Sequence, residues 1–399
     1  MLLELHIIQN FSPSNLNRGE DNTPKDCSFG GHRRARVSSQ CIKRSVRKHP
    51  TFTEAVRTAG GDLGIRTKRV KDEVLVKRMV EEAGKFPEEA QVVAANIIVL
   101  LGLGFKGEKT QYILYLGETE LKKMFDIAIR NWDPLAKALI TKNGTDDASE
   151  GEEVKTKGKK KKLSIPPALE AVKKELGEVV SSARKEANSY AADIALFGRM
   201  IADGKNMNVD AACQVAHAIS THKVEMELDY FTAVDDLLPD EESGSDMIGG
   251  VEFNSSCFYR YSIIDIEKLG ENLGVANKDL LAGVVRGYIE ASVKAVPTGK
   301  QNSMAAHNPP GFVRAILRKE GFPWNLANAF QKPVRATNDK SIEELSIERL
   351  NDYYNNLAGK YGAKGIACDV FFNVASPDGD NMNVLCDKII QSIAGSDHE

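Results

Sequence analysis

The passage from 222 to 266 limits the possible folds more than any other, because it holds two long extended arms around one polar turn. The arms are KVEMELDYFTAVDDL and VEFNSSCFYRYSIIDI, separated by LLPDEESGSDMIGG. β-Branched and aromatic runs bounded by Gly, Pro and Asp are typical of a β-hairpin. The second arm is long enough to continue past the hairpin, so we expect it to be a strand of the main sheet.

The remaining chain mixes one further strand with many helices. Residues 2–9 alternate like a strand, whereas apolar residues recur at helical spacing in VLVKRMVEEAGKF, PEEAQVVAANIIVLLG and ETELKKMFDIAIRNW, and Pro87 suits a first helical position. Helices are also predicted over about 167–188, 210–221 and 277–295. Strand, helix, large insertion, strands and helix predict an α+β fold with an RRM-like, or ferredoxin-like, sandwich.

Composition narrows the class of protein. The 399 residues carry a net charge of −3, as is usual for a soluble globular chain. The run VVAANIIVLLGLGF (92–105) is too short to span a membrane and predicts a buried helix. The six cysteines form no C-x-x-C pair, which favours a reducing compartment and disfavours zinc. We expect a cytoplasmic protein with no metal, no cofactor and no membrane partner.

One segment, KDCSFGGHRRARVSSQCIKRSVRK (25–48), is strongly basic although the whole chain is slightly acidic. Between 18 and 48 three carboxylates oppose nine cations, so the local net charge is +6. The cations are Arg18, Lys25, Arg33, Arg34, Arg36, Lys43, Arg44, Arg47 and Lys48. Such a cluster is either a solvated basic helix or an electrostatic footprint for nucleic acid.

The order of residues in this segment favours nucleic acid. A helix is predicted with Ser38 as N-cap, and Ile42 and Val46 would face the core. The helix would carry two cationic rows, Lys43/Arg47 and Arg44/Lys48. The like charges within each row repel and destabilise the helix unless an anion neutralises them. A glycine pair allows close backbone approach to a phosphate, and a helix N-terminus offers free N–H groups. The residues predicted to line an RNA backbone are Arg18, Lys25, Gly30, Gly31, Ser38, Ser39, Gln40, Lys43, Arg44 and Arg47.

Catalytic signals are weaker. His32, within GGHRR, is a possible general acid for RNA cleavage, and Asp26 is a possible metal ligand without a second carboxylate at useful spacing. The segment GFKGEKT (104–110) only loosely matches a P-loop. The alternatives to an RNA-binding protein are therefore an RNA-processing endonuclease that uses His32 or Asp26, and a phosphate-binding metabolic enzyme, which lacks a nucleophile–base or metal cluster.

Several segments together resemble a known family. They are SPSNLNRGEDNTPKD, FGGHRRARVSSQCIKRSVRK, AHAISTHKVEMELDYFTAVDDL, FYRY, AAHNP (305–309) and LANAF (326–330). The chain resembles CasC, the family of backbone subunits of the type I-E CRISPR Cascade complex within the RAMP superfamily. The match is specific at 12–48 and 217–261 and thin at about 60–165.

The resemblance implies a hand-shaped protein. A palm (1–57 and 258–399) would carry a helical fingers insertion (58–222) and a β-hairpin thumb (223–257). The resemblance also implies that the protein is not catalytic, and that copies polymerise along the spacer of a CRISPR RNA, with other Cascade subunits, and hold it open for target DNA.

The resemblance also implies roles for residues outside the basic segment. Met200 would wedge beside a splayed RNA base, and a lysine run would capture duplex DNA through Lys159, Lys160, Lys161 and Lys162. The thumb would place apolar residues over the RNA and a neighbouring subunit, unless these residues fill the protomer's own core. They are Tyr230, Phe231, Val234, Met247 and Ile248.

Overall fold

The computed structural model describes residues 1–138, 165–181, 190–201, 205–233, 247–274, 278–376 and 379–395. Two compact units are present. The first unit combines Met1–Gly61 with Ala211–Glu399, and the second is Asp62–Asp210. The second unit is therefore an insertion in the sequence of the first.

The strands, in chain order, are β1 (Leu2–Ser14), β2 (Asp26–Phe29), β3 (His32–Val37), β4 (Gly64–Thr67), β5 (Phe105–Lys106), β6 (Lys109–Thr110), β7 (Leu114–Gly117), β8 (Cys213–Val215), β9 (Ala218–Ser220), β10 (Glu227–Ala233), β11 (Met247–Asp265), β12 (Phe312–Arg318) and β13 (Ile366–Asn373).

The α-helices are α1 (Ser39–Lys48), α2 (Pro50–Thr58), α3 (Lys77–Glu81), α4 (Pro87–Leu100), α5 (Glu118–Arg130), α6 (Trp132–Lys137), α7 (Glu170–Val180), α8 (Ala192–Phe197), α9 (Ile266–Leu273), α10 (Lys278–Lys294), α11 (Gln301–Met304), α12 (Ile342–Tyr361) and α13 (Met382–Gly395). A π-helical segment, Lys71–Val76, precedes α3, and short 3-10 turns occupy Pro167–Leu169, Lys205–Met207 and Leu326–Phe330.

One sheet organises the first unit. Among the described residues its strand order is β13-β12-β1-β11-β9-β3-β2, with β8 and β10 also paired to β11. Strand β1 lies between β11 and β12 and is antiparallel to both, while β8 and β9 are antiparallel to β11. Helices α1 and α2 follow β1, and α9 and α10 follow β11. This is the βαββαβ arrangement of a ferredoxin-like fold, so the predicted α+β class is confirmed.

The two faces of this sheet are covered differently, because side chains alternate along β11. Cys257, Tyr259 and Tyr261 pack in an apolar core with α12 and the segment 324–334. On the other side Arg260 donates to the Ser292 carbonyl of α10 at 2.7 Å. Helix α10 packs against α2 through small residues: a Cβ on Gly287 would lie 2.8 Å from the Ala55 Cβ.

The predicted hairpin is present. Strands β10 and β11 pair from Glu227–Phe253 to Ala233–Met247, and β11 then continues along β1 to the Leu2–Asp265 pair. Strand β1 is longer than the 2–9 predicted, and its register shifts between Phe11 and Ser14.

The helix predicted over 210–221 is wrong. Residues 213–215 and 218–220 are strands β8 and β9, which pair with β11 at Ser262–Val215 and Tyr259–Ile219. Ladder hydrogen bonds to a central strand outweigh the modest helix propensity of an alanine-rich segment. The range predicted for the fingers, 58–222, thus includes two strands of the main sheet.

The second unit is mostly helical. Its core is formed by α4, α5, α7 and their neighbours, with Ile97, Met124 and Leu176 fully or almost fully buried. Helix α4 begins at Pro87, as predicted, and contains the apolar run as far as Leu100, whereas Phe105 belongs to β5. Arg199 and Glu120 form a buried ion pair, with Nη1 and Oε2 2.8 Å apart. The described part of the predicted 167–188 helix is α7, preceded by a single 3-10 turn.

A buried polar network joins β1 to the segment after β12. The Tyr259 hydroxyl oxygen lies 2.9 Å from His6 Nδ1 and accepts a hydrogen bond from Leu326 N at 3.0 Å. The hydroxyl proton of Tyr259 is therefore available for donation to His6. The Glu4 carboxylate accepts from Trp324 N and from the Tyr261 hydroxyl, and it pairs with Arg318. Burial, reinforced by the charges of Arg314 and Arg318, lowers the pKa of His6 to about 3.

We predict an acid-sensitive fold because His6 stays neutral in the folded state. Below pH 6.5 the His6 side chain is protonated in the unfolded chain but stays neutral in the folded chain. The free energy of unfolding therefore falls as the pH drops towards 3. Between pH 7 and pH 5 this one group should remove about 2 kcal/mol. Urea titrations at both pH values should show a smaller fall for His6→Gln than for the wild type. Equal falls would contradict the assignment.

Candidate nucleic-acid interface

The basic segment begins with a hairpin that makes a tight turn at two glycines. Strands β2 and β3 pair from Asp26–Ala35 to Phe29–His32, and Gly30 and Gly31 have φ angles of 59° and 77°. Positive φ at both central residues defines the hairpin turn that needs glycine. A Cβ on Gly30 would lie 2.1 Å from the Gln331 carbonyl oxygen, whereas Gly31 has open space. Gly30 is therefore required by the turn and by Gln331, and contact of Gly31 with a phosphate remains a prediction.

Not all the counted cations are on the surface. Arg34 is fully buried, and its guanidinium donates to the carbonyls of Ser220, Thr221, Phe330 and Gln331 at 2.6–3.2 Å. Burial lowers the pKa of Arg34. Exposed Arg33 forms an ion pair with Asp26. The local charge of +6 therefore overstates the charge that this segment offers to a ligand. Arg34 instead holds the hairpin against the sheet, and nothing in the sequence indicates its burial.

Helix α1 has the predicted cap. Ser38 Oγ accepts from Cys41 N at 3.3 Å, and Ser38 N donates to Asn17 Oδ1 at 2.8 Å. Ser38 is buried, so its direct role is to start the helix and fix the 17–25 loop rather than to present a hydroxyl. In the described chain the backbone N–H groups of Ser39 and Gln40 have no partner, so they remain available to an anion. Ile42 and Val46 face the core, as predicted.

Three elements bring cations to one surface beside α1. The 17–25 loop is held by Lys25 N donating to Asn17 O, and by Arg36 N donating to Lys25 O, each at 2.9 Å. Arg36 Nη1 lies 3.1 Å from His217 Nδ1. Partial burial, with the charges of Arg36 and Lys25, lowers the pKa of His217. The pairing of β3 with β9 brings His217 to Arg36, and this non-local pairing has no local sequence signal.

The cations of α1 point in different directions. Burial raises the pKa of Cys41, and the charges of Arg44 and Lys25 oppose that rise, so both cations are close enough to Cys41 to act on it electrostatically. Arg44 is exposed, whereas Lys43 is half-buried on the side of Cys213. Lys43 and Arg47 each have an interaction inside the protein. We define the basic surface as Lys25, Arg36, Arg44, His217 and the first turn of α1.

The other predicted binding residues are distributed as follows. Arg18 is exposed and donates to Asn22 Oδ1 at 3.4 Å. Met200 is 88 % exposed in the second unit, next to buried Arg199. Tyr230 and Phe231 are exposed on β10. Met247 and Ile248 pair as backbone with Ala233 and Thr232. Val234 and the lysine run Lys159, Lys160, Lys161 and Lys162 lie outside the described residues.

The residues considered for catalysis are not arranged as a catalytic pair. Asp26 lies opposite Ala35 and His32 lies opposite Phe29, at the two ends of the β2–β3 hairpin, and Asp26 is engaged by Arg33. The described chain holds no group of three or more His, Cys, Asp or Glu side chains suited to a metal ion. The segment GFKGEKT forms the short β5–β6 hairpin instead of a loop before a helix. No described helix is both long and apolar enough to cross a membrane.

Comparison with known proteins places this architecture among CRISPR-associated chains. A solved structure titled "CRISPR RNA-guided surveillance complex, pre-nicking" contains a chain with 26% identity and a TM-score of 0.78 to this one. The match covers 98% of this chain and 100% of that chain. A chain of a second structure, "CRISPR RNA-guided surveillance complex", matches the fold at 22% identity and a TM-score of 0.69, with 98% and 100% covered.

The sequence profile of the family described as "CT1975-like protein" (Cas_CT1975) matches residues 3–387. The protein belongs to this family. A search of curated proteins finds no match.

The buried guanidinium gives a stability prediction with a matched control in the next residue. Arg34→Ala leaves three buried and one part-buried carbonyl oxygens without their donor and should lower the free energy of unfolding by about 3 kcal/mol. Arg33→Ala removes an exposed ion pair and should cost about 0.5 kcal/mol. Urea unfolding followed by circular dichroism measures both. Equal costs would show that Arg34 does not anchor the hairpin.

Proposed function

We propose that the protein is the CRISPR RNA-binding backbone subunit of a type I-E Cascade complex, CasC. In this role several copies polymerise along the spacer of the guide, with other Cascade subunits, and support recognition of target DNA in antiviral defence. The observation that carries the proposal is the full-length likeness to a chain of an RNA-guided surveillance complex. We place this activity in the cytoplasm.

The basic surface supports an RNA-binding role. Its cations come from a loop, a strand and a helix, and they meet at a helix start whose N–H groups are available. Contacts of this kind are made to phosphates, so they hold an RNA strand without reading its sequence. A subunit that must accept every guide needs this tolerance.

The thumb role is supported by the exposed aromatic residues of the hairpin. Tyr230 is 72% exposed and Phe231 is 44% exposed. Two-stranded hairpins are marginal in water, and exposed aromatic groups gain most when a partner covers them. We propose that a neighbouring copy and the splayed guide strand cover them, with Met200 acting beside the displaced base.

We propose that the protein holds RNA without cleaving it. Two observations support this over the endonuclease alternative: Asp26 is engaged by Arg33, and it lies at the other end of the hairpin from His32, so neither residue can serve the other as a general acid–base partner.

Co-purification is the direct test of this function. The tagged protein, expressed with its neighbouring genes and a CRISPR array, should purify with one discrete small RNA that contains repeat and spacer sequence. The pure protein, incubated with labelled repeat RNA, should leave the RNA intact. Isolation without RNA would overturn the proposal, and cleavage lost in His32→Ala would favour the endonuclease.

The basic surface should give a measurable salt dependence. Each phosphate neutralised on a single strand contributes about −0.7 to the slope of log K against log salt. Replacing Lys25 and Arg44 by alanine should therefore reduce the slope by about 1.4 and weaken binding to all RNA sequences alike. The control is Lys360→Ala with Lys364→Ala, which removes the same charge from two exposed positions, one in the last turn of α12 and one just before β13, the opposite edge strand. An unchanged slope in the first variant would refute the assignment.

A further inference from the structure

A deep groove lies between the base of the β10–β11 hairpin and the turn that holds α11. It has a volume of about 630 Å³. Three pieces of chain form its walls: the end of β1, the hairpin, and the turn around α11. The lining residues are Ser12, Pro13, Asp229, Phe231, Val251, Phe253, Lys300, Ser303 and Met304.

The groove is tied to the loop that carries Arg18. Asn15 is fully buried, and its Nδ2 donates to the Asn22 carbonyl at 3.0 Å and to the Glu252 carbonyl at 2.9 Å. A Cβ on Gly299 would lie 2.5 Å from the Leu16 carbonyl oxygen, so the turn before α11 packs directly on the same loop. The loop that carries Arg18 is therefore packed directly against two of the groove walls, the hairpin and the turn before α11.

The turn around α11 holds two strained residues. Outside glycine, positive φ angles in the described chain occur at Asn22, Lys300 and Ala305, and the last two flank α11 with φ of 52° and 45°. Asparagine tolerates this region, but lysine and alanine do not favour it. Strain of this kind persists where the surroundings impose it, often at binding sites. Gln301 Nε2 contributes here by donating to the Pro297 carbonyl at 3.0 Å.

The strained turn presents a cation to the groove. Lys300 is half-buried in the groove wall; its carbonyl accepts from Ser303 N and Met304 N, but its ammonium group forms no hydrogen bond or ion pair with any described residue. Across the groove the Phe231 ring lies over Gly249: a Cβ there would be 2.3 Å from the ring Cζ. Glycine at this position therefore lets the ring lie against the backbone of the paired strand, which fixes an aromatic wall.

We propose that this groove binds one nucleotide of the guide RNA, with the base between its aromatic and apolar walls and a phosphate on Lys300. Single-stranded RNA is recognised by stacking of unpaired bases on aromatic side chains together with cations on the backbone. The Asp229 carboxylate, on the hairpin wall, accepts an N–H from the edge of the base. The proposal rests on the proposed function, because it names where a base displaced by the thumb is held.

Photocrosslinking tests the location directly. A single-stranded RNA with 4-thiouridine at every uridine is bound to the full-length wild-type protein, irradiated, digested and mapped by mass spectrometry. Crosslinks within 229–231, 251–253 or 300–304 are expected. Crosslinks confined to 18–48 with RNA still bound would overturn the groove assignment and leave RNA binding intact. Absence of any RNA binding would overturn the proposed function and, with it, this inference.

Two matched variants separate the cation from the strained backbone. Asparagine tolerates a left-handed conformation, so Lys300→Asn and Ala305→Asn should both keep the fold, as judged by circular dichroism. Lys300→Asn should reduce the salt slope of RNA binding by about 0.7, Ala305→Asn should leave it unchanged, and Lys300→Arg should restore it. Equal slopes for both asparagine variants would refute the role of Lys300.

Discussion

The antiparallel pairing of β1 with β11 supports most of the first unit. It runs without interruption from Leu2–Asp265 to Phe11–Ser256 and carries the core residues of both sheet faces. Strands β8, β9 and β10 all pair with β11, and β12 pairs with β1. A change in their register by one residue would exchange the two faces, so the alternation along β11 specifies the arrangement strongly.

The sequence predicted those parts of the fold that local signals control. The hairpin, the Pro87 helix start and the Ser38 cap follow from residue types at fixed offsets, and all three are present. The strands over 213–220 could not be predicted, because their pairing with β11 is non-local and the segment itself favours a helix. The burial of Arg34 was hidden for the same reason: its four carbonyl partners lie 186 to 297 residues away in sequence.

The candidate interface combines both kinds of information. The cationic composition of 18–48 is a sequence property, and it predicts that the interface lies in this segment. Tertiary packing decides which of these residues lie together on the basic surface. It buries Arg34, pairs Arg33 with Asp26 and brings in His217 from the segment between β8 and β9. The alternation of polar and apolar residues along β3 does not predict the burial of Arg34, because the strand is covered on both faces near this residue. The groove beside α11 had no sequence signal, because the positive φ of Lys300 occurs at a residue type that does not favour it.

The unbroken course of β11 has a mechanical consequence. Strand β11 is both an arm of the hairpin and a central strand of the sheet. A force applied to the hairpin along its axis therefore acts in shear on the hydrogen bonds of the β1–β11 ladder. Antiparallel bonds lie perpendicular to the strands, so they resist such a load together instead of opening one at a time. Any partner that pulls on the hairpin would therefore load the longest strand ladder of the described residues.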